Sequence, residues 1–265
     1  MIVFNSVNKF ISIIFVISFL NFLIFAIAGP GYQIGLFHWR TGLLVIMKYT
    51  AFISIPLLAI IVLIIITTLI GKFELNVKSK KILRVALIFP IIVLVFVLYW
   101  KNTLSKYPYI HDITTDFDNP PQFTFAEELR NSEAGSSPIT YDGSMKVERG
   151  PFTGTLSELQ KEHYPDISNF IVNRSISEIK NIIEVAMLSS GIKISGYNEE
   201  NFTIEGMEKS TFFGFTDDIA VRMIKVGSGE VLVDIRSKSR QGASDLGQNA
   251  KRIERLKASI LSKIN

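Results

Sequence analysis

Three long apolar runs in the first hundred residues constrain this chain more than any other feature. Residues 10–28 and 49–70 carry no charge, and 82–100 carry only Arg84, near the start of the run. At about 1.5 Å of rise per residue, each run can cross a hydrocarbon core of about 30 Å as a helix. The sequence therefore predicts three membrane spans. Arg84 is placed to snorkel toward the near interface, Pro90 is expected to kink the third span, and Tyr99-Trp100 supplies an aromatic anchor at its end.

Composition matters mainly for how charge divides. Residues 1–100 carry a net +7 and residues 101–265 a net −3, so the basic pI of 9.1 belongs to the membrane-flanking loops. That pattern gives the C-terminal part no electrostatic footprint for nucleic acid. With no Cys, disulfide scaffolds, thiol nucleophiles and Cys-ligated metal centres are excluded, and three His cannot build a dense metal cluster. Neither a cofactor nor a metal is expected.

Orientation follows from Lys and Arg in the short flanks. Lys9, Lys72, Lys78, Lys80, Lys81 and Arg84 lie on one side, against Arg40, Lys48, Lys101 and Lys106 on the other. The richer set marks the cytoplasmic side. The expectation is a multi-pass protein of the inner (plasma) membrane, with its N-terminus cytoplasmic and its C-terminal domain exoplasmic or periplasmic. Ala26-Ile27-Ala28 also resembles a signal-peptidase site, although the apolar run is longer than a typical signal core and Pro30 follows closely. Cleavage there would leave two spans and return the C-terminal domain to the same side. The turn-rich, aromatic segment between the first two spans, 29–42, suits a short interfacial hairpin, either a collar for the outer domain or a lipid anchor through Tyr32 and Trp39.

The remainder divides into a Pro-rich strap, 101–165, with short strands expected near 145–147, and an α+β domain, 166–265. Ser175-Ile176-Ser177-Glu178 is a capping box, helically spaced apolar residues follow it, and Gly191 supplies a stop, which predicts a helix over 176–190. Strands are expected at 192–196, 202–207, 210–215 continuing past a break at Thr216-Asp217 into 219–226, and 231–237. A three-residue loop Gly227-Ser228-Gly229 sets Met223 opposite Val233, Val221 opposite Ile235 and Arg222 opposite Asp234. Ser244 is read as the N-cap of a terminal helix, with Asp245 at its positive end and an apolar stripe from Leu246 to Ile264. The predicted fold is α+β: three N-terminal transmembrane helices, then a two-layer domain with a four-stranded antiparallel sheet and two packed helices on one face.

Four stretches in order, GPGYQIGLFHWRTG, HDITTDFDNPPQF, FFGFTDDIAVRM and VDIRSKSRQGASDLGQNAKRI, are together similar to the family catalogued as domain of unknown function 1499, bacterial membrane-anchored proteins. Tyr107-Pro108-Tyr109 departs from the plainer lead-in expected before HDITTD. The resemblance implies an envelope location and transfers no reaction.

Two constellations carry chemistry. Arg236, Ser239, Arg240 and Ser244, with Asp217 and Asp218 across the strand pair, could cradle a phosphate or carboxylate beside the free N–H groups of a helix start, or could form an ion-pair network closing the sheet onto its helix. His111, Asp112 and Asp116 place an imidazole and carboxylates together, which suits a general base or a structural turn. No nucleophile elbow, S-x-x-K set or Walker loop is present. Phe212-Phe213-Gly214-Phe215 is expected to leave an apolar patch exposed to a partner or lipid. The leading expectation is a non-enzymatic envelope protein, in contact with the bilayer, whose outer domain binds a protein, lipid headgroup or cell-wall anion. The alternative is a membrane-tethered ester or phosphoester hydrolase using His111 with Asp112 or Asp116 against a substrate held by Arg236 and Arg240.

Overall fold

A computed structural model describes residues 2–72, 74–132 and 136–264. The chain divides into two compact units, one of residues 1–102 with Thr211–Gly214 and the other of Thr103–Ser210 with Phe215–Asn265.

The first unit is helical. α1 (Ile2–Ala26), the short α2 (Ala28–Gln33), α3 (Met47–Leu69), which continues a π-helical turn at Thr41–Ile46, and α4 (Val77–Leu104) follow in order. Ser6–Ala26, Thr41–Leu69 and Val77–Leu104 are long and apolar enough to cross a membrane. The 29–42 segment is thus helical at its start and reaches a π-helical turn at its end, where a simple hairpin was expected.

A buried polar cluster joins two of the spans. Asn21 donates its amide to the Thr50 carbonyl at 3.1 Å and to Ser54 Oγ at 3.0 Å, and all three residues are buried. Hydrogen bonds between helices of this kind hold spans together where apolar side chains gain nothing by leaving lipid.

Thr211–Gly214 packs within this helical unit. Phe212 meets Phe96 at 5.7 Å between ring centroids, and the Gln33 amide donates to the carbonyls of Thr211 and Phe212 at 3.0 and 2.8 Å. A Cβ at Gly29 would overlap the Phe212 carbonyl, which gives that glycine its reason. The apolar patch expected at Phe212-Phe213 is therefore not exposed: Phe213 is 4% accessible.

The second unit is built on a six-stranded antiparallel sheet, which corrects the expected four. Its strands are β1 (Asp112–Thr114), β4 (Phe170–Asn173), β5 (Lys193–Asn198), β6 (Thr203–Lys209), β7 (Thr216–Gly227) and β8 (Glu230–Ser239). Neighbours run β1-β8-β7-β6-β5, and β4 also pairs β8. The far edge of β8 is shared, its beginning taken by β4 and its end by β1. The segment 101–165, read as a strap, also carries α5 (Phe125–Ser132), the hairpin β2 (Lys146–Arg149) and β3 (Phe152–Thr155), and α6 (Leu156–His163).

The register of the long hairpin is as predicted, with Val221 opposite Ile235, Arg222 opposite Asp234 and Met223 opposite Val233. The turn differs, because Gly227 pairs with Glu230 and a bulge lies between Lys225 and Gly227. The break expected at Thr216-Asp217 is absent. β7 begins at Thr216 and runs without interruption through both aspartates, and residues 210–215 form no strand.

α7 (Ile176–Ser189) starts at the predicted capping box, with Ser175 Oγ accepting from the Glu178 N–H and the Glu178 carboxylate accepting from the Ser175 N–H. Gly191, at φ +80°, follows its end. α8 (Gln248–Ile264) begins later than Ser244. Its start is held by the Asp245 carboxylate, which accepts from the N–H groups of Gly247 and Asn249 at 2.8 and 3.0 Å. Ser244 instead donates to the Pro108 carbonyl. Both helices cover one face of the sheet, where Ile179, Ile183, Val221, Val233, Ile235, Ile253 and Leu256 make a continuous apolar core.

Candidate functional site

Strand alternation decides where the predicted site residues go. Consecutive side chains of β7 and β8 point to opposite faces, so Asp217 and Asp218 separate, as do Ser239 and its neighbours Lys238 and Arg240. The constellation drawn from the sequence is two networks rather than one pocket.

On the helix-covered face, Arg252 of α8 binds Asp217 at 2.5 Å and Glu208 at 2.6 Å, and donates to Ser237 Oγ and to the Asn249 side-chain oxygen. The Asn249 amide donates to Ser239 Oγ at 3.0 Å and to the His111 carbonyl at 3.1 Å. Burial raises the Asp245 carboxyl to about 6, against the pull of the Asn249 and Gly247 N–H groups.

The opposite face holds most of the charge. Arg236, fully buried, donates through Nε and an Nη to the two oxygens of Asp112, both at 2.9 Å, and Lys238 reaches Asp112 at 2.6 Å. Two further donors of Arg236 go to the carbonyls of Pro121 and Ile139, and its guanidinium lies over the rings of Phe123 and Tyr141 at 4.9 and 5.4 Å. Burial works to raise the Asp112 carboxyl, but the hydrogen bond and charge of Arg236, with the charge of Lys238, hold it below the usual carboxylate range.

Asp218 binds Arg240 and Arg130 of α5, each at 2.7 Å. Arg222 binds Asp234 at 2.8 Å and Asp116 at 3.3 Å. Asp116 also accepts from the N–H groups of Asp118 and Asn119, both at 3.0 Å, closing a turn. Glu205, buried on β6, accepts from the N–H groups of Thr124, just before α5, and of Phe125 and Ala126 in its first turn, and so anchors the segment that covers this face.

Arg236 and Arg240 thus have their carboxylates within the domain, Asp112 for the first and Asp218 for the second. Arg130, Lys238 and Arg252 complete the networks and were not among the residues singled out. For Lys238 the signal is the pairing register, which sets Asp112 opposite it once β1 is known to exist; Arg130 and Arg252 lie on helices, where no register points to them.

His111 stands apart. Neither ring nitrogen has a hydrogen-bond partner among the described residues, so it forms no dyad with Asp112 or Asp116. Burial, reinforced by the Lys238 charge and opposed by Asp112, lowers its pKa to about 4. Among the described residues no group of three or more His, Asp or Glu is arranged to hold a metal ion.

A cleft of about 440 Å³ opens on the segment that covers the charged face. Its lining comes from 117–122, which continues the HDITTD stretch, from 140–144, and from Ser157 and Lys161 of α6. Thr155-Leu156-Ser157-Glu158 is a second capping box, unremarked in the sequence, and it sets the start of the helix that carries both lining residues. Ser157 Oγ donates to the Gly143 carbonyl at 2.9 Å, and Asp142 accepts from the N–H and hydroxyl of Ser144 at 3.1 and 2.7 Å, which fixes the 140–144 wall. Tyr141 lines the cleft and packs on Arg236, so the buried charges support the cleft from behind. The Asp118 carboxylate has no partner among the described residues.

No curated protein matches the chain. The family described as a protein of unknown function, DUF1499, matches residues 112–260, more than half of the chain and a span that includes β1, both charge networks and the cleft, and the chain belongs to that family.

Proposed function

We propose that this protein is a multi-pass envelope-membrane protein whose exoplasmic C-terminal domain binds an envelope component without transforming it, and that the cleft at 117–122 and 140–144 receives the ligand. The cleft carries this reading. Its size is that of a small-molecule or headgroup site, and its polar side chains include an exposed carboxylate that the fold does not use. The Arg236 and Arg240 turn is architecture that holds the cleft in place. The hydrolase alternative has less support, because His111 bonds neither carboxylate and Asp112 is occupied on both oxygens. The bias of Lys and Arg toward the 72–84 loop supports a cytoplasmic N-terminus.

The absence of Cys makes the test direct. Single Cys residues at Asp118, at Lys193 and at Lys78 are treated with a membrane-impermeant maleimide in intact cells. Positions 118 and 193 should label, and position 78 only after permeabilisation. Isolated envelope fragments should then slow labelling at 118 and leave 193 unchanged. Labelling of 78 alone in intact cells would reverse the topology, and equal rates at 118 with and without fragments would remove the cleft from the proposal.

A further inference from the structure

We infer that the ligand of this cleft is an uncharged saccharide ring; this rests on the cleft being the binding site. The charges of the lining carry the first step. The buried cations behind it are already engaged: Arg236 and Lys238 by Asp112, Arg130 and Arg240 by Asp218. What faces the cleft is two carboxylates, Asp118 and Asp142, against one ammonium, Lys161, whose Nζ lies 4.7 Å from the centre of the Phe117 ring. A phosphate or carboxylate would enter a site of net negative charge, which repels it.

An acyl chain fits no better, since the lining is predominantly polar and would be desolvated without hydrogen bonds. The groups that do face the cleft are acceptors at Asp118, at Asp142 and at the Ser144 hydroxyl, whose hydrogen is on Asp142, the side-chain carbonyl and second amide hydrogen of Gln122, and aromatic surface at Phe117 and Tyr141. A pyranose ring presents the complement: hydroxyls that donate to carboxylates around its rim and C–H groups on its faces, which suit the negative face of an aromatic ring.

Such a ring occurs both in glycan chains and in glycolipid headgroups, and the experiment separates them. The full chain in phosphatidylcholine nanodiscs, free of sugar detergents, is titrated calorimetrically with chitotriose, with maltotriose and with inorganic phosphate. A further arm incorporates monoglucosyl-diacylglycerol in the disc and follows the rate of labelling of a Cys at the exposed neighbour Asn119, which leaves Asp118 in place. Asp118→Asn should weaken saccharide binding about tenfold, by removing a charged acceptor, and Asp118→Trp should abolish it by filling the cleft. Neither should shift ligand-free thermal unfolding, because the Asp118 carboxylate supports no internal contact.

Binding of the oligosaccharides identifies a glycan chain, and protection by the glycolipid alone identifies a headgroup. Phosphate binding that Asp118→Trp removes would overturn the saccharide and leave the cleft standing. Saccharide binding that survives Asp118→Trp would overturn both. No binding and no protection with any of these probes overturns the inference.

Discussion

The two faces of the β7–β8 hairpin solve the same burial problem in different ways. One face sets Ile219, Val221, Met223, Val233 and Ile235 against α7 and α8. The other sets Asp218, Arg222, Asp234, Arg236 and Lys238 under a covering segment that contains α5, and these residues are also buried. Apolar packing is non-directional, so many side chains of similar volume would serve on the first face. The charged face tolerates no such exchange, because its cations are matched to particular carboxylates, some of them shared, and several also to particular carbonyls. The covering segment, within 115–142, packs Phe123, Ala126 and Ile139 on Ala220 and is also held by its backbone carbonyls, at Pro121, Ile139 and Thr140, to the cations beneath. The difference teaches that charged residues in a family motif can be the fastening of a loop rather than its active site.

The largest test of that contrast removes a shared carboxylate. Asp218→Ala leaves Arg130 and Arg240 buried without their counter-ion and should cost about 3–5 kcal/mol. Ile235→Ala on the apolar face should cost about 2–5 kcal/mol through its cavity. Both are read from thermal unfolding of the full chain in mild detergent. The two should separate in protease sensitivity: loss of Asp218 should open the 115–142 segment to cleavage, and loss of Ile235 should not do so selectively. Equal protection in both variants would dissolve the distinction between the faces.

A smaller effect sharpens it. Arg222→Met and Asp234→Leu should each be destabilising alone, and together they should cost less than the sum by about 1–3 kcal/mol, because each single change strands the partner's charge. Additive costs would mean that the pair does not act as a unit.

The smallest effect is one of pH. His111, lowered to about 4 from an ordinary value of 6.5, stays neutral in the fold while the unfolded chain takes up a proton. Stability from this group is complete above pH 6.5 and is lost as pH falls toward 4. Asp245, raised to about 6, works in the opposite sense, since the fold gains a proton before the unfolded chain does. His111→Leu, which breaks no ring hydrogen bond, should therefore flatten the acid side of the unfolding profile between pH 6.5 and 4. An unchanged profile would show that the ring is solvated in the native protein.

The spans, the Ser175 capping box and the register of the long hairpin were legible because each rests on local or periodic signals. β1 and β4 were not. β1 is three residues long, and its polar members, Asp112 and Thr114, are buried by partners remote in sequence, so no apolar alternation marks it. Thr216-Asp217 read as a break for the same reason: the adjacent carboxylates Asp217 and Asp218 enter a strand only because Arg252 waits on one face and Arg130 with Arg240 on the other. The Arg222–Asp234 pair was visible because both partners lie in one hairpin. The cleft joins three segments that no spacing rule connects, and the Thr155 capping box is a local signal from which the start of α6, one part of it, could have been read.

Arg236→Met tests the central claim most directly, because Arg236 is the centre of the charged face and the residue a ligand site would most need. If it is a fastening, unfolding of the full chain should fall by about 3–5 kcal/mol, with Asp112 and Lys238 left imperfectly paired. Unchanged or increased stability, as expected when a cation held ready for a ligand is removed, would contradict the account and return the arginine turn to the role of binding site.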